Sequence, residues 1–356
     1  MRRLPVFLML DISDSMIGKA HQYLEKGLDD LTKKLRQDPH ALETVYLSVI
    51  AFAGQVKTLV PLIDLPTFYP PRLPIGAGTA LGAALNHLMS EIDHQVISTT
   101  PTRKGDWKPV VYLLTDGKPT DIYQTAIERW SKSYAKRSYV IAIGMGPYAD
   151  TSVLSQFANE VLSYNGENET DFARFIQWMT LSVSVQSMAI ENKTGGESSI
   201  SLEKAGGVLE LAHSSKISVD KDCVVLVGRC QQRKSPYLLK FERAPSFSEM
   251  FSNPDLLNIS TEQQLFHISG CFPVEEDYFD WSGSSWEIQH KVNVNTLVGA
   301  AGCPYCGNHY AFGLCDCGRL FCVDGPGSAH CPWCSKHTMM GATDDAGGLE
   351  VTRSRG

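Results

Sequence analysis

The stretch Leu10-Asp11-Ile12-Ser13-Asp14-Ser15 follows an apolar run and carries oxygen-bearing side chains at alternate positions. In an extended loop, alternate side chains point to the same side, so one carboxyl and two hydroxyls can face a single point. Gly78-Thr79 precedes a helix-like segment, and Thr115-Asp116-Gly117 follows a second apolar run. Carboxylate and hydroxyl oxygens suit Mg²⁺, and also Mn²⁺ or Ca²⁺. The sequence therefore predicts one metal site with five ligands: Asp11, Ser13, Ser15, Thr79 and Asp116.

Near-continuous apolar runs, rich in branched and aromatic residues, indicate strands buried on both faces. These runs cover residues 6–10, 45–52, 110–114 and 139–143. Segments with helical spacing lie between and after them, at roughly 17–36, 79–96, 121–136, 151–159 and 169–190. This alternation predicts an α/β fold with a doubly wound, mostly parallel sheet. Ligands of such sheets collect at the carboxyl ends of the strands, which is where Asp11 and Asp116 fall.

Each oxygen-rich stretch also has a simpler interpretation. A Ser or Asp after a strand often caps the next helix, and Asp116-Gly117 can form only a turn. The combination of three such stretches, in order along one fold, favours the metal site. Nearby Asp14 and Lys118 are expected to be solvated charges at the rim of the site.

The five predicted ligands match the metal-ion-dependent adhesion site of von Willebrand factor A domains without departure. Residues 1–192 therefore resemble that family. The resemblance implies a mostly parallel sheet with helices on both faces, and a metal outside the carboxyl ends of its strands.

Seven of the ten cysteines fall between residues 303 and 334. Two C-x₂-C pairs, Cys303/Cys306 and Cys331/Cys334, have the spacing of zinc knuckles and predict a first structural Zn²⁺ site. Between them lie the candidate ligands of a second Zn²⁺ site: Cys315, Cys317 and Cys322, with His309 or His330 as the fourth. A cross-braced arrangement with different pairs stays open. The remaining cysteines are expected to be buried, inert thiols: Cys223, Cys230 and Cys271.

The rest of the chain is assigned by composition and pattern. Short strand-like runs separated by Pro and Gly predict a small β-rich middle domain over residues 200–298. The cysteine-rich segment 299–338 is expected to form a zinc-ribbon-like domain. Residues 339–356 are polar and Gly-containing, and are expected to be a flexible tail.

Composition excludes several classes of protein. The 356-residue chain has a formal charge of −7 and no strongly basic block, so we expect no nucleic-acid partner. No run of about 18 apolar residues occurs, so no membrane span is expected. The apolar start after Arg2-Arg3 lacks a cleavage pattern and is interpreted as a buried strand rather than a signal peptide. Clustered cysteines with metal-ligand spacing indicate a reducing compartment, and therefore the cytoplasm.

The order of domains resembles the TerY-type proteins of bacterial tellurium-resistance and stress systems. The segments that carry this resemblance are Val227–Cys230, Pro236–Phe241, Gly270–Val274 and Cys315–Cys322. The resemblance implies protein partners, namely a serine/threonine kinase and a metal-dependent phosphatase. It also implies that flexible hydroxyls are kinase substrates, in the linker 193–201 and at Thr352 and Ser354.

Two functions are compatible with these observations. The first is a non-catalytic scaffold or adaptor that binds an acidic or phosphorylated partner through the metal. The second is a metal-dependent hydrolase or a chelatase-like subunit. We find no phosphate-binding loop and no kinase signature, and no catalytic residue can be named. The sequence therefore favours the adaptor.

Overall fold

A computed structural model of the chain describes residues 2–116, 118–146, 149–164, 166, 168–191, 209–211, 222–244, 264–283, 290–341 and 349–354. The chain divides into two compact units. The first comprises Met1–Pro74 and Thr79–Ser218, and the second comprises Ile75–Gly78 and Val219–Gly356. Within the described residues, no helix combines the length and the apolar character needed to cross a membrane.

Seven strands form the sheet of the first unit: β1 (Leu4–Asp11), β2 (Val45–Phe52), β3 (Val56–Asp64), β4 (Val110–Thr115), β5 (Tyr139–Met145), β6 (Glu160–Tyr164) and β7 (Leu209–Leu211). Their spatial order is β3-β2-β1-β4-β5-β6-β7. The four central pairs are parallel. The outermost pairs, β2–β3 and β6–β7, are antiparallel. The predicted doubly wound, mostly parallel sheet is therefore confirmed.

In the described part of the unit, six α-helices accompany this sheet: α1 (Lys19–Leu35), α2 (Pro39–Thr44), α3 (Leu81–Gln95), α4 (Gln124–Ser133), α5 (Thr151–Leu154) and α6 (Glu169–Glu191). The four long helices agree with the predicted segments. Helix α2 was not predicted, although its start is marked locally. Pro39 opens it, and the Asp38 carboxylate accepts hydrogen bonds from the first-turn N–H groups of His40 and Ala41.

The hydrophobic core explains why the central strands were visible in the sequence. All eight residues of β1 are buried, as are all six of β4. Helix α1 buries leucines at positions 24, 28, 31 and 35, which share one face at helical spacing. Strand β3 is mostly half-exposed and lies at the sheet edge, so it lacks the continuous apolar run that marks the buried strands.

The first unit extends beyond the predicted boundary at residue 192. Strand β7 pairs antiparallel with β6, with Leu211 opposite Leu162. Residues 209–211 therefore belong to this sheet and not to the β-rich middle domain to which they were assigned. The edge of β6 offers unpaired backbone groups that a returning segment can satisfy.

The second unit contains ten strands and one short helix in its described residues: β8 (Cys223–Arg229), β9 (Pro236–Arg243), β10 (Phe266–Pro273), α7 (Asp277–Ser282), β11 (His290–Asn293), β12 (Leu297–Val298), β13 (Tyr310–Leu314), β14 (Leu320–Val323), β15 (Gly327–His330), β16 (His337–Met340) and β17 (Glu350–Arg353). Six of these strands form one sheet in the order β12-β10-β9-β8-β14-β13. The predicted β-rich character of this region is confirmed.

The division into a middle domain (200–298) and a separate zinc domain (299–338) differs from the structure. Strand β14 of the cysteine-rich segment pairs in parallel with β8, placing Phe321 opposite Arg229. One apolar cluster joins both segments, and it includes Leu226, Phe241 and Leu320. A segment of about 40 residues has too little apolar surface for an independent core, and here it completes its core on the neighbouring strands.

The predicted flexible tail, residues 339–356, also needs correction. Residues 337–340 form β16, and β17 pairs antiparallel with β11 through residues 350–353. Val351 is buried among the apolar residues of the second unit, and the Ser354 N–H donates to the Val225 carbonyl at 2.8 Å. Thr352 therefore lies in a paired strand, where a kinase could reach it only after local unpairing. The linker 193–201 lies outside the described residues.

Candidate metal centres

The first candidate centre lies where the strand order changes direction. Chain connections leave β1 toward β2 on one side and β4 on the other, and such a switch point leaves a crevice at the carboxyl ends of the strands. β1 and β4 run in parallel with Leu10 opposite Leu114. Asp11 and Asp116 therefore emerge side by side at the same edge of the sheet.

A hydrogen-bond network joins four of the five predicted ligands. The Ser13 N–H donates to Asp11 Oδ1 at 2.9 Å, and the Ser13 and Ser15 hydroxyls are 2.9 Å apart. The Ser15 hydroxyl donates to Asp116 Oδ2 at 2.6 Å. The alternation of Asp11, Ser13 and Ser15 thus brings their oxygens together as predicted.

Asp11 occupies an environment that opposes its negative charge. Its side chain is fully buried, and burial is the main reason why its pKa rises from 3.8 to about 8, with the Asp116 carboxylate as the second cause. Hydrogen bonds from Ser13 and from the Thr115 hydroxyl, which lies 2.5 Å from Asp11 Oδ2, lower the pKa in part. Two buried carboxylates so close together favour a cation between or beside them.

Thr79 completes the site from the neighbouring loop. The Ala80 N–H donates to the Ala53 carbonyl at 2.7 Å, which fixes this loop at the carboxyl end of β2, next to β1. Thr79 is 1 % exposed, and its hydroxyl has no hydrogen-bond partner among the described residues. A buried hydroxyl without a partner is unfavourable. This orphaned oxygen lies on a loop held next to the carboxyl end of β1, and it fits a metal ligand.

Two residues that support Thr79 and the start of α3 were not predicted. Thr120 pairs with Thr79 twice: its hydroxyl accepts from the Thr79 N–H at 2.8 Å, and its own N–H donates to the Thr79 carbonyl at 2.9 Å. The Asp121 carboxylate accepts hydrogen bonds from the first-turn N–H groups of Gly82 and Ala83. Ala80, at the N-cap of α3, has no capping side chain. The sequence signal for Asp121 was this missing cap, because the N–H groups at a buried helix start need hydrogen-bond acceptors from another part of the chain.

The two residues predicted to be solvated charges at the rim of the site, Asp14 and Lys118, differ in their burial. Lys118 is half-buried, whereas Asp14 is fully buried. Residues 14–16 form a short 3₁₀ turn directly after Ser13, and this turn draws Asp14 into the protein. Asp14 is therefore not a solvated charge.

The second unit contains two groups of four cysteines. The Cys230 cluster consists of Cys230, Cys303, Cys306 and Cys322, and the Cys315 cluster consists of Cys315, Cys317, Cys331 and Cys334. Within each cluster all sulfur atoms lie within 4.8 Å of one another. The Sγ–Sγ distances are 3.6 Å for Cys306–Cys322 and 3.7 Å for Cys315–Cys334. Four thiolates around Zn²⁺ at about 2.3 Å would be about 3.8 Å apart, so both clusters fit a tetrahedral zinc ion.

This grouping differs from the predicted pairing. The two C-x₂-C pairs do not share a site, because Cys303 and Cys306 join Cys230 and Cys322, while Cys331 and Cys334 join Cys315 and Cys317. The two ligand sets alternate along the chain, as in the cross-braced alternative. Neither histidine considered as a fourth ligand belongs to a cluster. His309 contacts Asp324, and His330 packs against His337.

Cys230 was expected to be inert, yet it lies in a knuckle-like turn. Its N–H donates to the Ser235 carbonyl at 2.9 Å, and the Lys234 N–H donates back to Cys230 at 2.8 Å. The same two bonds occur at Cys303 with Asn308 and Gly307, and at Cys331 with Lys336 and Ser335. The residue four positions after the cysteine has a positive φ in each turn, at 59°, 78° and 60° for Lys234, Gly307 and Ser335.

The Cys230 turn carries Arg233 where the two other turns carry their second cysteine. Cys322 of β14 supplies the missing thiol to this cluster. The number of cysteines in the C-terminal segment already indicated that a residue such as Cys230 is needed as a ligand. Seven cysteines between 303 and 334 leave two four-thiol sites one ligand short, so the eighth must come from elsewhere in the chain.

The thiols within a cluster alter each other's protonation. Burial opposes ionisation of Cys315, but hydrogen bonds from the Cys317 backbone and from Thr338 outweigh it and lower the pKa of Cys315 to about 7. Burial and neighbouring thiols raise the pKa of Cys317 to about 12. Such groups share protons and do not ionise together. A bound cation such as Zn²⁺ would allow all four to be thiolates.

Two family models match the chain. Residues 6–177 match the von Willebrand factor type A domain, and residues 220–356 match the TerY-C metal binding domain. Among curated proteins, none matches the chain.

Several solved structures are similar to about half of the chain. Proximal thread matrix protein 1 from the mussel byssus is 21 % identical over 52 % of this chain and 48 % of that chain, with a TM-score of 0.38. A structure of the same mussel protein with a zinc occupied MIDAS motif is 20 % identical over 51 % of this chain and 48 % of that chain, with a TM-score of 0.36. The von Willebrand factor type A protein from Catenulispora acidiphila is 16 % identical over 51 % of this chain and 43 % of that chain, with a TM-score of 0.38. This chain thus spans about half the length of these proteins.

Each family match falls largely within one of the two units described above. The first takes in the oxygen-rich site and the sheet from β1 to β6 but not β7, and the second includes both cysteine clusters. The chain therefore contains a von Willebrand factor type A domain followed by a TerY-C metal-binding domain, which matches the arrangement of a TerY-type protein.

Proposed function

We propose that this chain is an adaptor that binds an acidic or phosphorylated protein partner through Mg²⁺ held by Asp11, Ser13, Ser15, Thr79 and Asp116. The buried Thr79 hydroxyl, which has no hydrogen-bond partner among the described residues, carries this proposal. It is a polar atom on a loop at the carboxyl end of the sheet, where an external ligand can satisfy it.

The composition of the site favours recognition over hydrolysis. Three of its five ligands are neutral hydroxyls, so bound Mg²⁺ would keep much of its charge and favour one more anionic ligand. A carboxylate or phosphate of a partner meets that requirement. The von Willebrand A and TerY-like families are generally adaptors rather than catalysts, which supports the same conclusion.

An exposed apolar side chain in the segment that holds Thr79 suggests how a partner is selected. Ile122 is 81 % exposed, and it lies two residues after Thr120, which holds Thr79 in place. We propose that a partner covers Ile122 with an apolar residue next to its anionic group. Burying an isoleucine contributes about 1.5–3 kcal/mol, or about 10- to 150-fold in affinity.

The two cysteine clusters serve a structural role in this proposal. Four thiolates fill a tetrahedral Zn²⁺ and leave no open position for a substrate. Their ligands come from distant parts of the second unit, so bound metal would tie β8, β14 and the knuckle turns together. Reduced thiolate ligands are consistent with a cytoplasmic location.

The resemblance to TerY-type proteins suggests the partners, a serine/threonine kinase and a metal-dependent phosphatase. We propose that the chain brings such enzymes together. The test is surface plasmon resonance with the immobilised full-length chain and a purified kinase and phosphatase from the same organism.

We expect binding in Mg²⁺ that is lost in metal-free buffer and in Asp116→Ala. Ile122→Ser should weaken partner binding about tenfold without changing the Mg²⁺ affinity. Tyr69→Ser is the matched control, because Tyr69 is 76 % exposed and lies outside the site. Binding that is equally strong without Mg²⁺ would contradict the adaptor mechanism. Metal-dependent hydrolysis of a phosphoester by the isolated chain would support the enzyme instead.

A further inference from the structure

The hairpin β15–β16 has two chemically different faces. Ala329 and Thr338 are buried, and the Thr338 hydroxyl lies 3.4 Å from the Cys315 sulfur, so the inner face packs on the Cys315 cluster. Residues on the outer face alternate with these and are exposed: Ser328, His330, His337 and Met339. None of the four belongs to either cysteine cluster.

His330 and His337 lie directly opposite each other across the two strands. The next pair along, Cys331 and Lys336, is joined by a backbone hydrogen bond of 2.9 Å. Because hydrogen-bonded and non-hydrogen-bonded pairs alternate in an antiparallel ladder, the histidines occupy a non-hydrogen-bonded pair. Side chains at such pairs approach most closely and share one face.

The geometry of the two rings suits a shared cation. Their centroids are 4.9 Å apart, and their planes are inclined at 59°. A cation about 2.0–2.1 Å from one nitrogen of each ring lies about 3.2 Å from each centroid. The observed separation then gives an angle of about 100° between the two ligand directions, near the tetrahedral value.

Met339 adds a soft donor to the same face. It stands two residues after His337 on β16, so both side chains point the same way. Its side chain is 77 % exposed, which is unusual for an apolar residue and leaves its sulfur accessible. Imidazole and thioether ligands together select transition metals over Mg²⁺ or Ca²⁺.

We propose that His330, His337 and Met339 form a third metal site on this unit, which binds a transition-metal cation at the protein surface. The site is separate from both cysteine clusters, and it is open to solvent where they are closed. It does not depend on the adaptor function proposed above.

The test uses Ni²⁺ as the probe and the full-length chain, purified without a polyhistidine tag and with its cysteine-bound metal retained. Calorimetric titration in excess Mg²⁺ keeps the oxygen site occupied. We expect one Ni²⁺ to bind the wild type, and the affinity to fall at least about tenfold in His330→Gln and in His337→Gln, because even outer-shell changes at metal sites cost 10- to 100-fold. His309→Gln is the matched control, since His309 is an exposed histidine of the same unit that lies outside this face.

Met339→Leu preserves the size of the side chain and removes the sulfur. We expect it to weaken Ni²⁺ binding, and in ¹³C-methyl-methionine spectra of the wild type we expect Ni²⁺ to broaden the Met339 signal first. Unchanged metal content and circular dichroism show that each variant is folded. Equal Ni²⁺ affinity of the wild type and the double histidine variant would overturn the site. Unchanged affinity in Met339→Leu, with no broadening, would remove the thioether from it.

Discussion

At the scale of single residues, Asp11 shows how far the sequence could predict chemistry. Its alternation with Ser13 and Ser15 predicted the shared network, because that pattern is local to one loop. Thr120 and Cys230 were missed, because their roles come from contacts with distant parts of the chain. Thr120 contacts Thr79, which is 41 residues away, and the nearest cluster partner of Cys230 in the sequence is Cys303, which is 73 residues away. Local patterns predict ligands that lie on one loop, whereas tertiary packing decides which distant residues support them.

Asp11 gives a prediction about pH. Its folded pKa is raised above 3.8, so the metal-free fold binds a proton that the unfolded chain releases. The stability of the metal-free first unit should therefore fall as the pH rises from about 4 to about 8, by up to about 1.4 kcal/mol per pH unit. Asp11→Asn should remove this slope and stabilise the metal-free unit at pH 8. Urea unfolding in Mg²⁺-free buffer at several pH values measures it. The same slope in the variant would show that Asp11 is not the titrating group.

Thr79→Val separates stability from function. Valine has nearly the shape of threonine but no hydroxyl, and the Thr79 hydroxyl is buried with no hydrogen-bond partner in the described part of the chain. We expect the metal-free unit to be as stable as the wild type or up to about 1 kcal/mol more stable, while the Mg²⁺ affinity falls. Thermal unfolding and Mg²⁺ titration test the two halves. A large loss of stability would indicate that the hydroxyl has a structural partner instead.

At the scale of secondary-structure elements, continuous apolar runs predicted β1, β2, β4 and β5, because burial on both faces leaves a strong signal. Strands β3 and β7 lie at sheet edges, where half-exposed or short segments leave a weak one. The helix α3 was predicted, but its remote cap by Asp121 was not. The start of α3 nevertheless decides where Thr79 lies.

Gly82→Ala tests the support of Thr79 by the loop 120–123. A Cβ at position 82 would meet the Ile122 carbonyl oxygen at 2.6 Å and the Tyr123 Cα at 2.8 Å, so the loop must move. We expect weaker Mg²⁺ binding, because Thr120 moves with the loop and releases Thr79. Ala83→Gly is the control: it weakens α3 by about 1 kcal/mol through helix propensity but creates no clash. Equal effects of the two variants on Mg²⁺ affinity would contradict positioning by the loop.

Cys230→Ser tests the grouping of the cysteines. We expect the variant to lose one of two zinc ions per chain and the second unit to become less stable, because metal binding and folding are coupled there. Cys223→Ser is the matched control, since Cys223 is a buried thiol of the neighbouring strand β8 outside both clusters. Metal analysis by mass spectrometry, with limited proteolysis, gives the result. Full zinc content in Cys230→Ser would contradict this grouping and favour the site first inferred from the two C-x₂-C pairs.

At the scale of the whole molecule, the sequence correctly placed a von Willebrand A domain before a β-rich, cysteine-rich region. It placed the internal boundaries less well. Strand β7 belongs to the sheet of the first unit, and the cysteine-rich segment contributes strands to the same sheet as β8, β9 and β10. Strand pairing between distant segments leaves no local pattern in the sequence. Domain boundaries inferred from composition therefore separated segments that pair within one sheet.

The central claim is that the oxygen site binds Mg²⁺ and that a partner's anionic group completes its coordination. The most direct measurement is calorimetric titration of Mg²⁺ into the wild type, Asp11→Asn and Asp116→Asn, each with and without a purified partner and each checked for folding by circular dichroism. We predict one Mg²⁺ per wild-type chain, tighter binding when the partner is present, and no binding in either folded variant. Unchanged Mg²⁺ affinity in both variants would contradict the site, and a partner that leaves the wild-type Mg²⁺ affinity unaltered would contradict its role in recognition.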